Sequence, residues 1–126
     1  MADSSGHNLW DYTTKGGIQV SVEIASIEPE IAVEDLVDRL DSARGVLLSS
    51  SYEYPGRYTR WDLGFVDPPL VVTSHDQEIR LEALNERGQV LLSLLGRALG
   101  KVDGVSVVDE TATFVVCNVD ILCFDN

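Results

Sequence analysis

An α+β fold is what this sequence predicts: one domain with a largely antiparallel β-sheet and two main helices, at about 31–43 and 88–99. Three observations carry the expectation. Apolar and polar residues alternate with period two in GGIQVSVEIAS and again in Glu78–Leu84, as half-buried strands do. Between such runs the apolar spacing changes to three and four, as on one face of a helix. The connections are short and rich in Gly, Pro, Asp and Asn, the length and chemistry of hairpin turns.

Taken in order, residues 1–14 are small and polar around Trp10 and Tyr12 and read as a loose lead-in. Gly16-Gly17 opens the first strand, in which Ile18, Val20, Val22 and Ile24 share a face. Pro29 breaks it. Val33, Leu36, Val37 and Leu40 then mark a helix within Ile31–Ser42, with acidic residues near its start and Gly45 placed to cap its end. Val46–Leu48 begins a buried strand, and Trp61–Val66 is extended up to the turn at Asp67-Pro68-Pro69. Leu70–Thr73 and Glu78–Leu84 form a hairpin across the four residues Ser74–Gln77. After the turn residues Asn85–Gly88, a second helix presents Val90, Leu91, Leu94, Leu95 and Ala98 on one face, and Gly100 closes it. Two apolar runs, Val105–Val108 and Thr113–Phe124, complete the chain. No internal repeat is visible in the sequence.

A length of 126 residues suits a single domain that folds without staples. Nine Lys plus Arg against 21 Asp plus Glu leave a net charge of −12. That balance argues against nucleic acid, whose nonspecific affinity comes from cations displacing counterions, and against anionic membrane surfaces. No apolar run approaches the length of a membrane span. The start MADSSGHNLWDYTT lacks the basic and apolar blocks of a secretory signal. Two cysteines are too few for a disulfide scaffold, so a cytoplasmic, reducing setting is the expectation.

The residues that usually carry chemistry are sparse. His7 and His75 show no orienting partner and read as solvated surface. Cys117 and Cys123 lie six apart in a strand and read as core thiols; neither a zinc set nor an activated nucleophile is visible. The acidic residues alternate with apolar ones and read as a solvated surface. No phosphate-binding glycine loop occurs. Catalytic and metal residues are therefore expected to be absent from this chain.

One stretch stands apart. Residues Tyr52–Trp61, YEYPGRYTRW, hold three of the four tyrosines, one of the two tryptophans and two of the nine basic side chains. The segment follows three serines and turns at Pro55-Gly56. Two readings fit it. The aromatics are half-buried strand residues with Arg57 and Arg60 on the rim, or the segment frames a small-molecule pocket in which serine hydroxyls and an arginine hold charged groups.

The blocks GVLLSSSYEYPGRYTRWDLGFVDPPL and RLEALNERGQVLL, with KGGIQVSVEI upstream, resemble the N-terminal region of anthranilate synthase, component I. They are closest to the fused form that joins the chorismate-using and glutamine-amidotransferase parts. The resemblance runs from about residue 12 to 99, whereas the tail 111–126 departs from the family pattern. It implies a site for L-tryptophan as feedback inhibitor, with Leu47-Leu48-Ser49-Ser50 standing where the family has a Leu-Leu-Glu-Ser-like motif. Ser49, Ser50 and Arg60 map onto that site, and Ser49 replaces an acidic residue. The family makes anthranilate and pyruvate from chorismate and glutamine with magnesium, but its catalytic and metal-binding residues belong to later regions.

Two functions follow from the resemblance. The first is a truncated, non-catalytic regulatory or scaffold region whose partner is the missing chorismate-binding lobe, with a homo-oligomer as the consequence of an unfilled apolar interface. The second is a stand-alone module that binds L-tryptophan or docks onto a synthase subunit. Neither assigns a cofactor to this chain.

Overall fold

The structure, a computed structural model, describes residues 7–50, 56 and 61–120. Elements follow in the order β1 (His7–Thr13), β2 (Gln19–Ala25), α1 (Pro29–Leu40), β3 (Gly45–Ser49), β4 (Asp62–Val66), β5 (Leu70–His75), β6 (Glu78–Ala83), α2 (Glu86–Leu99), β7 (Val105–Glu110) and β8 (Phe114–Val119). All strand pairs are antiparallel, and the class is α+β, as the alternation and helical spacing predict.

The strands form three sheets: β1-β2, β3-β4, and a four-stranded sheet in the order β5-β6-β8-β7. Although the sequence shows no repeat, the order hairpin, helix, hairpin occurs twice. In the second half the two hairpins join through β6 and β8, and α2 covers the joined sheet. In the first half β1-β2 and β3-β4 stay apart, and α1 packs on β3-β4 alone.

The core lies under α2. Leu81, Leu92, Val115 and Cys117 are buried together, bordered by Ile79, Leu99, Val105 and Val107. The register explains the grouping. Leu81 pairs with Val115, and Cys117 pairs with both Ile79 and Val107, so alternate residues of three strands share the face beneath the helix. The buried positions of α2 are Gly88, Leu92 and Gly96, which places its inner face differently from the one expected. Val90 and Leu95 are exposed. The glycines explain the shift, since they let the helix backbone approach the sheet where a count of large apolar residues gives no weight.

α1 sits on β3-β4 through Ala32, Val33, Leu36 and Leu40, all half-buried, while Val37 faces outward. A Cβ on Gly64 would lie 2.1 Å from Leu36 Cδ2, so the helix side chain occupies the space over that glycine. Gly45 does not cap α1; it is the first residue of β3, and Asp41 ends the helix in a right-handed conformation. Gly100 likewise ends α2 with φ −64°, not in the left-handed region.

Other boundaries depart from the sequence reading. The expected lead-in forms β1, paired in register with β2 from His7↔Ala25 to Thr13↔Gln19. The β5-β6 turn is two residues long instead of four, because Asp76 takes φ 51° and tightens it. Pro29 and Glu86 start helices, where the sequence predicts a breaker and a turn. Proline fits the first helical turn, where its missing N–H is not needed. At α2 the Asn85 side chain accepts a hydrogen bond from the Gly88 N–H at 3.1 Å. Replacing Asn85 with Ala is expected to cost about 1 kcal/mol, the usual value of such a cap. Chemical denaturation measures it, and an unchanged midpoint would show the cap to be idle.

Candidate functional site

Ser49 and Ser50 lie at the end of β3, where the hairpin opens toward the aromatic segment. The register places Ser49 opposite Asp62, and the Ser49 hydroxyl donates a hydrogen bond to Asp62 Oδ1. The Ser50 N–H donates to the Trp61 carbonyl at 3.1 Å and extends the ladder by one bond. Ser49 and Asp62 share the sheet face of Leu47 and Gly64, the one that carries α1. A serine hydroxyl that donates once keeps its lone pairs for a ligand donor, and Asp62 adds a carboxylate beside it.

Arg60 lies outside the described residues, as do Tyr52, Tyr54, Pro55, Arg57, Tyr58 and Cys123. Gly56 alone represents the inner part of that stretch; its φ of +82° agrees with the turn read at Pro55-Gly56. The structure thus brings together Ser49, Ser50, Trp61 and Asp62. Asp62 was missed from the sequence, because its place opposite Ser49 depends on the register and not on any local motif.

The opposite face of β3-β4 is apolar and uncovered. Val46 pairs with Phe65 and Leu48 with Leu63, and all four are exposed, as is Trp61. The β1-β2 hairpin is similar: Trp10 pairs with Val22 and Tyr12 with Val20, yet Trp10, Tyr12 and Ile24 are exposed. Between the two halves, Asp67 is a junction. Arg39 Nη2 lies 3.1 Å from its carboxylate, and Arg87 Nη2 donates to its carbonyl at 3.0 Å. A cleft of about 730 Å³ opens beside it, lined by Arg44, Asp67, Asn85 and Arg87 among others.

His75 ends β5 with Nδ1 3.2 Å from Asp76 Oδ2, both side chains in water. Among the described residues, no group of three or more His, Cys, Asp or Glu is arranged to hold a metal ion. No helix among those residues is long and apolar enough to cross a membrane.

Cys117 is fully buried, as the core reading expected. Burial first, and the Glu110 carboxylate second, push its thiol above its ordinary value. The native state therefore holds this proton longer than the unfolded chain does. Stability is unaffected below the unfolded thiol's range near 8.5 and falls as pH rises above it. A thiol reagent should label Cys117 slowly in the native chain and rapidly in denaturant; rapid native labelling would contradict its burial.

Over 107 residues, 85% of this chain, the sequence is 38% identical to an anthranilate synthase of Azospirillum brasilense. The resemblance to anthranilate synthase is borne out. The chain spans only 15% of that anthranilate synthase's length. No family model matches the chain, and no solved structure does.

Proposed function

We propose that this chain is the non-catalytic N-terminal regulatory and scaffold part of an anthranilate synthase, acting in tryptophan biosynthesis and inactive alone. The observation that carries the proposal is identity across most of this chain to a small share of a much longer synthase. The uncovered faces of β1-β2 and β3-β4 support it, since apolar faces of this kind mark surfaces meant for another part of a protein. On this reading the chorismate-binding lobe, with its magnesium, lies in polypeptide that this chain does not include. Purified chain given chorismate, ammonia and magnesium should form no anthranilate. Turnover by the chain alone would overturn the proposal.

The regulatory half of the proposal rests on Ser49 and Ser50 at the mouth of the hairpin, with Arg60 as the basic partner. Asp62 supplies across the strand pair the acid that β3 lacks at position 49. The ligand is L-tryptophan, whose ammonium suits Asp62 and whose carboxylate suits Arg60. Half a pocket loses many contacts, so affinity is expected to be no better than about millimolar. Heteronuclear NMR with added L-tryptophan should shift resonances of Ser49, Ser50 and Asp62. Ser50→Ala and Asp62→Asn should each weaken those shifts; unchanged binding in both variants would place the site elsewhere.

A further inference from the structure

A cleft of about 790 Å³ lies between the two halves, lined by stretches of β3 and β5 together with Leu40, Phe65, Pro68 and Leu84. Consecutive residues of β3, Gly45 to Leu47, line one wall, and consecutive residues of β5, Leu70 to Val72, line the other. Neighbouring residues of a strand point to opposite faces, so a cleft touched by three in a row runs along the edge and not over a face. Among the described residues, β3 pairs with β4 only and β5 with β6 only. The edges turned toward the cleft therefore carry backbone N–H and C=O groups with no strand of the described residues beside them.

The two strands do not pair with each other. No Cα of β3 lies within 8 Å of one in β5. Paired strands are about 4.8 Å apart, so β3 and β5 lie too far apart to pair directly. The walls are apolar apart from Arg44. β5, Leu-Val-Val-Thr-Ser-His, carries none of the lysines, prolines or bulges that usually protect an open edge. The other edge of that sheet, β7, has both a bulge and the acidic pair Asp109 and Glu110. An open edge of this kind is a template for strand addition.

We infer that the cleft between β3 and β5 receives one extended, apolar strand, supplied by the part of an anthranilate synthase polypeptide that this chain does not span. The strand joins β3-β4 to the four-stranded sheet. The inference rests on the proposed function, because the match to a small share of a longer protein is what identifies the source of the strand. A helix would satisfy neither open edge, since its backbone bonds are internal. A second copy of this chain is disfavoured by its net charge of −12.

The test uses overlapping peptides of about ten residues, the upper length of common strands. They cover the part of the A. brasilense enzyme outside the match and are added to the isotope-labelled full chain. The expected result is that at least one peptide shifts and protects amides of both Gly45–Ser49 and Leu70–His75. Val72→Lys places a charge on an already exposed β5 position and should weaken that peptide about tenfold. Val108→Lys, on the far edge, should leave it unchanged. Failure of every peptide, or binding that spares either strand, overturns the inference. Such a failure leaves the proposed function standing if a larger fragment of the same enzyme still gains activity from this chain.

Discussion

Leu92→Ala is expected to lower the unfolding free energy by about 3 kcal/mol, within the usual span for a buried leucine truncated to alanine. Leu92 is 2% exposed at the centre of the small cluster with Leu81, Val115 and Cys117. Removing it takes away apolar contact and leaves a cavity that a rigid sheet cannot close. Domains are stable by only about 5–15 kcal/mol, so the loss should move a urea midpoint far outside error. Leu95→Ala, one turn away on the outer side, should cost under about 1 kcal/mol. Equal losses for the two variants would mean that α2 is seated on another face.

Gly88→Ala is the second large effect, and it runs against helix propensity. Alanine favours a helix interior by about 1 kcal/mol over glycine. Here, however, a Cβ would lie 1.9 Å from the Pro69 carbonyl oxygen and 3.1 Å from Ala83 Cα. Both are backbone atoms, so the helix and the β5-β6 hairpin must separate, and a net loss of about 2 kcal/mol or more is expected. Gly96→Ala is the control. Its nearest neighbour is the Glu110 carboxylate at 2.9 Å, the flexible end of a side chain, so the loss should be smaller. Thermal melts rank the two, and the reverse order would show that α2 does not approach the sheet as closely as described.

Much of this fold is written in local sequence. The alternation at Ile18–Ile24 and Glu78–Leu84 is strong because one face of each strand is apolar and the other polar or charged. β1 escaped notice because its faces are mixed: Leu9 falls on the side of Asp11, and Asn8 on the side of Trp10 and Tyr12. Its strand character comes from pairing with β2, which no local pattern shows. The inner face of α2 was misplaced for a related reason, since Gly88 and Gly96 contribute closeness and not apolar area. At the candidate site, the motif resemblance marked Ser49 and Ser50 directly. Asp62 required the β3-β4 register, and the slot between β3 and β5 required the arrangement of the two sheets.

That the first half keeps its hairpins apart, with apolar faces bare, while the second half closes the same element order into one sheet, fits a chain completed by further polypeptide. The most direct measurement is an anthranilate fluorescence assay with chorismate, ammonia and magnesium. It would use the A. brasilense synthase lacking its matched segment, with and without this chain. Neither component should form anthranilate alone, and the mixture should, with turnover falling as L-tryptophan is added. Anthranilate formed by this chain by itself, or full activity of the shortened synthase without it, would contradict the account.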